Sequence, residues 1–148
     1  MRILVPVDLG PATDKVIEMT EAQAKAFGAS VELLHVTVPE PDFVGYGPGP
    51  QHERDQVACD MKESRRKLTA LKERLIEAGI EVSERMYQGV PEEKILEEAK
   101  RSDIDLIIMG LARHSFFYRM WVGSVGEELY RQAPCPLLFV PAPEDAEG

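Results

Sequence analysis

Short apolar runs alternate along this chain with stretches in which apolar residues recur every three or four positions, a pattern that predicts strands alternating with helices. Ile3 to Val7 reads as a buried strand. Gly10-Pro11 then opens a helix, because proline fits a first helical turn. Val16, Met19, Gln23 and Phe27 give that helix one largely apolar face, and Gly28 is placed to end it in the left-handed conformation. Val31 to Val38 predicts a second strand, rich in β-branched residues. The stretch from Pro39 to about His52, PEPDFVGYGPGPQH, carries four prolines and three glycines. Neither helix nor ladder runs through such a segment, so it predicts a long, mobile surface loop.

From about Glu53 to Ala78 the spacing of Val57, Met61, Leu68, Leu71 and Leu75 predicts a long amphipathic helix, capped by Gly79. Ile80 to Tyr87 predicts a third strand, with Ile80, Val82 and Met86 alternating. Gly89-Val90-Pro91 turns into a helix carrying Ile95, Leu96 and Ala99. Asp105 to Gly110 predicts a fully buried fourth strand. Residues 111 to 122 form a loop, Gly123 to Gln132 a helix and Leu137 to Val140 a last strand. The tail from Pro141 to Gly148 is polar and frayed. Strands alternating with helices imply an α/β fold: an open, mostly parallel five-stranded sheet with helices on both faces, of Rossmann-like order. Such a sheet binds ligands beyond the carboxyl ends of its strands, where the strand order reverses.

At 148 residues the chain suits one domain with a real core, and it shows no internal repeat or linker. Its formal net charge of −9 repels phosphate backbones and anionic lipids, which argues against nucleic-acid or membrane-surface binding. The two cysteines, Cys59 and Cys135, form no C-x-x-C pair and no disulfide framework, as expected of reduced thiols. The opening apolar run is too short for a secretory signal, and none reaches the ~18 residues of a membrane span. A cytoplasmic location without membrane insertion follows by elimination.

The strongest chemical signal is Asp105-Leu-Ile-Ile-Met-Gly110, then twelve loop residues, then Gly123-Ser124-Val125 at the start of a helix. A helix beginning there offers free N–H groups, a positive dipole end and a hydroxyl, which suits a phosphate. The same residues also serve as a plain helix cap. Asp8, at the end of the first strand, is placed either to meet a ligand or to cap the following helix. Between Gly110 and Gly123 the loop is basic, with Arg113, His114 and Arg119. It also holds Phe116, Phe117, Tyr118, Met120 and Trp121, which either plug the core or form a docking patch for a protein partner over 114–122. No P-loop, G-x-S-x-G elbow or metal-ligand histidine spacing is present, and no nucleophile with its base is identifiable.

Several segments, agreeing in order and spacing, resemble the universal stress protein family. ILVPVDLG is similar to that family's ILVAVDGS, and LLHV to its second strand. GVPEEKILEEA resembles its GDPAEEILEAA; DLIIMG and WVGSVGEELYRQAPCPLLFVP resemble its DLIVMG and LLGSVSEKVLRHAPCPVLVV. The family's nucleotide-binding members carry G-x2-G-x9-G-[ST]. Gly110, Gly123 and Ser124 match that motif, whereas Arg113 replaces its second glycine and Leu9 replaces the glycine after Asp8. A glycine at 113 would let the loop close through positive φ. Arginine either blocks the pocket or pairs with a phosphate.

The resemblance implies the adenine-nucleotide α-hydrolase-like version of the fold. It implies an ATP or AMP site, with magnesium as the nucleotide's companion, formed by Asp8, the Val36 backbone, Gly110, Arg113, Gly123, Ser124 and Val125. Any ATP hydrolysis would be slow and incidental. It also implies a homodimer through the C-terminal strand and a stress or signalling role. The alternative within the same family is a nucleotide-free interaction module that regulates a partner protein.

Overall fold

The first strand, β1 (Arg2–Pro6), lies at the centre of a five-stranded sheet. The computed structural model describes residues 1–37, 50–111 and 130–143, for 50–58 the backbone alone. Along these segments β1 is followed by α1 (Thr13–Phe27), β2 (Ser30–Thr37), α2 (Pro50–Glu77), β3 (Val82–Gln88), α3 (Pro91–Arg101), β4 (Leu106–Leu111) and β5 (Leu137–Pro141). The strand order is β3-β2-β1-β4-β5, and every pairing is parallel. The chain therefore builds outward from β1 to β3 on one side, then returns to add β4 and β5 on the other.

Side-chain alternation sorts the core into two layers. Ile3, Val5, Val31, Leu33 and Ile108 pack with Val16, Ile17 and Ala24 of α1 and Leu68 and Leu75 of α2. Leu4, Leu34, Ile107 and Met109 point the other way and pack with Ile95 and Ala99 of α3. Helices thus cover both faces, as the run of apolar strands requires. Among the described residues no helix is long and apolar enough to cross a membrane.

Several boundaries differ from the sequence reading, each for a local reason. Helix α1 begins at Thr13, not at Gly10-Pro11, because residues 8–11 are spent on a turn in which Leu9 takes φ 61° and the Asp8 Oδ1 accepts the Gly10 N–H. Its buried face is Val16, Ile17, Thr20 and Ala24; Phe27, 54% exposed, lies off it. Gly28 does close the helix at φ 62°.

Helix α2 starts at Pro50, so the predicted loop gives up its last three positions, and proline again suits a first turn. Met61 on this helix faces outward, whereas Leu68 and Leu75 are fully buried. Strand β3 starts two residues late because Gly79, at φ 88°, and the Ile80 N–H to Leu75 carbonyl bond first finish α2. Of the predicted helix 123–132, residues 130–132 are described and helical. The loop at 39–49, the aromatic loop 114–122 and the end of the tail lie outside the described residues.

Where α3 covers β2 and β3, two acidic side chains are buried together. Glu32 is 2% exposed and Glu98 3% exposed. Arg85 sets its Nε 3.2 Å from Oε1 of each. Arg2 reaches Glu32 Oε2 at 3.3 Å. Glu98 also accepts hydrogen bonds from Arg101, from Ser102 Oγ (3.0 Å) and from the Tyr87 hydroxyl (3.3 Å). Burial pushes the Glu32 carboxyl up to about 7, reinforced by the neighbouring Glu98 carboxyl and its charge, against the pull of Arg85 and Arg2. Burial pushes Glu98 up as well, but hydrogen bonds from Glu32, Arg101 and Ser102 outweigh it and bring that carboxyl down to about 2.

Candidate functional site

The order of the sheet fixes where a ligand can enter. The chain reverses its direction of strand addition between β1 and β4, so the loops leaving those two strands part and open a crevice at their carboxyl ends. Asp8 and Gly110 meet there. Together with Pro6, Val7, Ala12, Thr13 and Val16 they enclose a cleft with about 10 Å³ of room, enough for one water.

Asp8 stands just past β1 and is half-buried. Its Oδ1 accepts the Gly10 N–H at 2.8 Å, which folds the strand end into the turn before α1. The helix cap is Ala12, with no side-chain hydrogen bond, so Asp8 does not cap α1. Among the described residues its Oδ2 has no partner, which leaves one carboxylate oxygen for a donor. Leu9, where the resembling family has glycine, sits in the left-handed region at φ 61°. That conformation costs about 1 kcal/mol or more for a residue with a side chain.

Gly110, near the end of β4, is buried. A Cβ built on it would lie 2.8 Å from the Ala12 Cβ and 3.0 Å from the Val16 Cγ2. Its lack of a side chain is therefore what lets the first turn of α1 rest against β4. That steric demand stands independently of any phosphate.

Val36 lies on β2, half-buried, with Tyr87 of β3 as its register partner. The β1–β2 ladder ends at Pro6 and Leu34, closed by the Val7 N–H to Leu34 carbonyl bond of 2.8 Å. Two residues further on, Val36 turns its backbone groups to the same side as Leu34, beyond the last β1 partner. They face the mouth of the crevice.

His35, between these two, bonds through Nδ1 to the Val7 carbonyl at 2.8 Å and ties the end of β1 to β2. Arg113, Gly123, Ser124 and Val125 lie outside the described residues. The structure thus brings Asp8, Gly110 and the Val36 backbone to one end of the sheet.

Two features escaped the sequence reading. His35 stands in the sequence only as one of three histidines without metal-ligand spacing, whereas its place beside the end of β1 makes it a tie. Thr13 Oγ1 is buried at the crevice with no hydrogen-bond partner among the described residues; the sequence signal is a hydroxyl at the start of a helix, five residues past Asp8. Among the described residues no group of three or more His, Cys, Asp or Glu side chains converges as a metal site.

Comparison with known proteins agrees with this geometry. The universal stress protein family matches residues 1–141. The universal stress protein MJ0531 of Methanocaldococcus jannaschii is 29% identical over 145 residues, covering 97% of this chain and 83% of that protein. The solved structure of MJ0577 from the same organism superposes with a TM-score of 0.77 at 25% identity, over 97% of this chain and 96% of that one.

Two structures of more distant sequence share the fold and contain nucleotides. A universal stress protein family member from Arabidopsis thaliana, with AMP bound, has a TM-score of 0.68 at 18% identity, over 98% of this chain and 94% of that one. One from Archaeoglobus fulgidus, in complex with dAMP, has a TM-score of 0.63 at 20% identity, over 94% and 96%. With the parallel sheet, its switch point and the match along nearly the whole length, the chain belongs to the universal stress protein family.

Proposed function

We propose that this domain binds an adenine nucleotide, ATP or AMP, across the carboxyl ends of β1, β2 and β4, and works as a dimeric stress or signalling module whose state follows occupancy of that site. The observation that carries the reading is the meeting of Asp8 and Gly110 at the switch point of the sheet, with the Val36 backbone opening toward the same place. The narrow cleft between α1 and β4 is too small for a base, so the nucleotide lies over its rim. There Asp8 Oδ2 accepts a donor, and the Val36 backbone pairs with a flat polar edge.

In this reading Arg113, Gly123, Ser124 and Val125 supply the phosphate end. Arg113 serves as a bidentate cation where other family members use glycine, and magnesium accompanies a triphosphate. The AMP and dAMP complexes of the two structural neighbours support the ligand class. The place of β5 at the outside of the described sheet supports pairing of two copies. In this reading the nucleotide acts as a signal, and any hydrolysis is slow and incidental.

Calorimetric titration with ATP and with AMP, each with and without magnesium, tests the reading. Saturable binding weakened at least tenfold by Gly123→Val supports it, and failure of the wild type to bind either nucleotide removes it. Light scattering after gel filtration tests the dimer; a monomer at all concentrations excludes it.

A further inference from the structure

The buried acids on the α3 side of the sheet do not line the crevice, and nothing in nucleotide binding calls for them. A carboxylate taken out of water must be paired, and two facing each other repel unless something lies between them. Here Oε1 of Glu32 and Oε1 of Glu98 crowd the same Arg85 Nε, each 3.2 Å from it, although two ionised carboxylates side by side have no hydrogen to share. Arg85 stands 3.2 Å from both, yet Glu32 Oε1 is a fully buried atom with no hydrogen bond of acceptable geometry. The Arg85 contact is thus a charge contact and not an aligned bond, and an oxygen in that position is where a proton fits.

We propose that Glu32 and Glu98 hold one proton between them as a clasp fastening α3 to β2 and β3, and that losing this proton loosens the helix from the sheet. Glu32 is fixed in the middle of β2, whereas Glu98 belongs to the eleven-residue α3, so the helix is the part that yields.

The groups facing the pair come from three elements. They are Arg2 of β1, Arg85 and Tyr87 of β3, and Arg101 of α3 with Ser102 at its end. Lys94 lies over the Tyr87 ring at 5.7 Å, and Asp105 accepts the Arg2 backbone N–H. The three guanidinium groups are 42–56% exposed and so partly neutralised by water, whereas the two carboxyls are 2–3% exposed. Burial therefore governs the acids, and the pair's upper titration falls at about 7.

Glu32 binds its proton more tightly folded than unfolded. Its contribution to stability is complete below about 4.5 and is lost as pH rises through about 7. Glu98, lowered, works the opposite way: its contribution is held above about 4.5 and is lost as pH falls through about 2. Near neutrality the first of these governs.

The experiment follows the carboxyl carbons of ¹³C-labelled glutamate by NMR across pH 4–9 in the wild-type protein, and measures urea unfolding of wild type and Glu32→Gln over the same range. Glutamine keeps the shape and fixes the neutral state. One buried carboxyl titrating between pH 6 and 8 is expected. The wild-type folding constant should also fall by about 150-fold more than that of Glu32→Gln between pH 4.5 and 8. Exchange of α3 amides should quicken over that interval in the wild type only. If every glutamate carboxyl titrates below pH 5.5, or if the two proteins lose stability in parallel, the shared proton is excluded. The NMR titration of the wild type decides the matter even should the variant fail to fold.

Discussion

Placing an alanine at Gly110 separates two explanations of a glycine that opens a nucleotide-binding motif. If the residue serves only a bound phosphate, Gly110→Ala leaves the empty protein as stable as before. The structure gives it a second duty. The new Cβ would stand 2.8 Å from the Ala12 Cβ and 3.0 Å from the Val16 Cγ2, against an ordinary carbon–carbon contact of about 3.5–4.0 Å. Neither neighbour gives way cheaply. The Ala12 Cβ is fixed to the backbone at the cap of α1, and Val16 is β-branched and buried in the core.

Overpacking of this kind costs about 1–3 kcal/mol, and removing a strand glycine returns about 0.5–1 kcal/mol. The net expectation is a loss of about 1–2 kcal/mol in the absence of ligand. Urea denaturation followed by far-ultraviolet circular dichroism reads this as a midpoint lowered by roughly 0.5–1 M with an unchanged slope.

The partner substitution sharpens the test. Ala12→Gly removes the closer of the two obstructing carbons and leaves a residue acceptable at a helix N-cap. Combined with Gly110→Ala it should recover part of the loss, with a coupling of about 0.5 kcal/mol or more. A wild-type midpoint for Gly110→Ala, or strict additivity in the double variant, would refute the packing account.

Two further outcomes follow from side chains described above. Thr13→Val should raise the ligand-free melting temperature, because it exchanges a buried hydroxyl without a partner among the described residues for a methyl of the same shape; about 1 kcal/mol is expected, and scanning calorimetry measures it. In the native protein a thiol reagent at pH 8 should label the exposed Cys59 at least tenfold faster than Cys135. Burial and the charge of Asp105 both raise the Cys135 thiol, and equal rates would contradict its placement.

The architecture was legible because strand and helix periods alternate without interruption and because Gly28 and Gly79 punctuate the helices where the pattern stops. Asp8, Val36 and Gly110 were legible only through family resemblance; their chemistry alone left ligand and structural roles open. Gly110 shows why. Its need for a bare backbone arises from Ala12, about a hundred residues earlier in the chain, and no local pattern carries that information.

The turn at Leu9 was obscured for a different reason. A leucine does not announce positive φ, and its conformation follows from the Asp8–Gly10 bond. Glu32 hid inside SVELLHVT, where one acid in an apolar strand reads as a surface position. Only the docking of α3 brings Glu98, Arg85 and Arg101 around it. Local periodicity reports elements; long-range charge pairing and steric fit belong to their assembly.

The two margins of the sheet are unlike. On one flank, β3 sets the exposed Ser83, Arg85 and Gln88 along its length; on the other, β5 is Leu-Leu-Phe-Val ending in Pro141. A second molecule seeking a seam finds a charged selvedge on the first flank and a greasy one on the second. Greasy joined to greasy uses up both, and neither molecule then has another of that kind to offer. If two copies join through β5 as proposed, stacking into ribbons is denied, because among the described strands no second border of that kind is left.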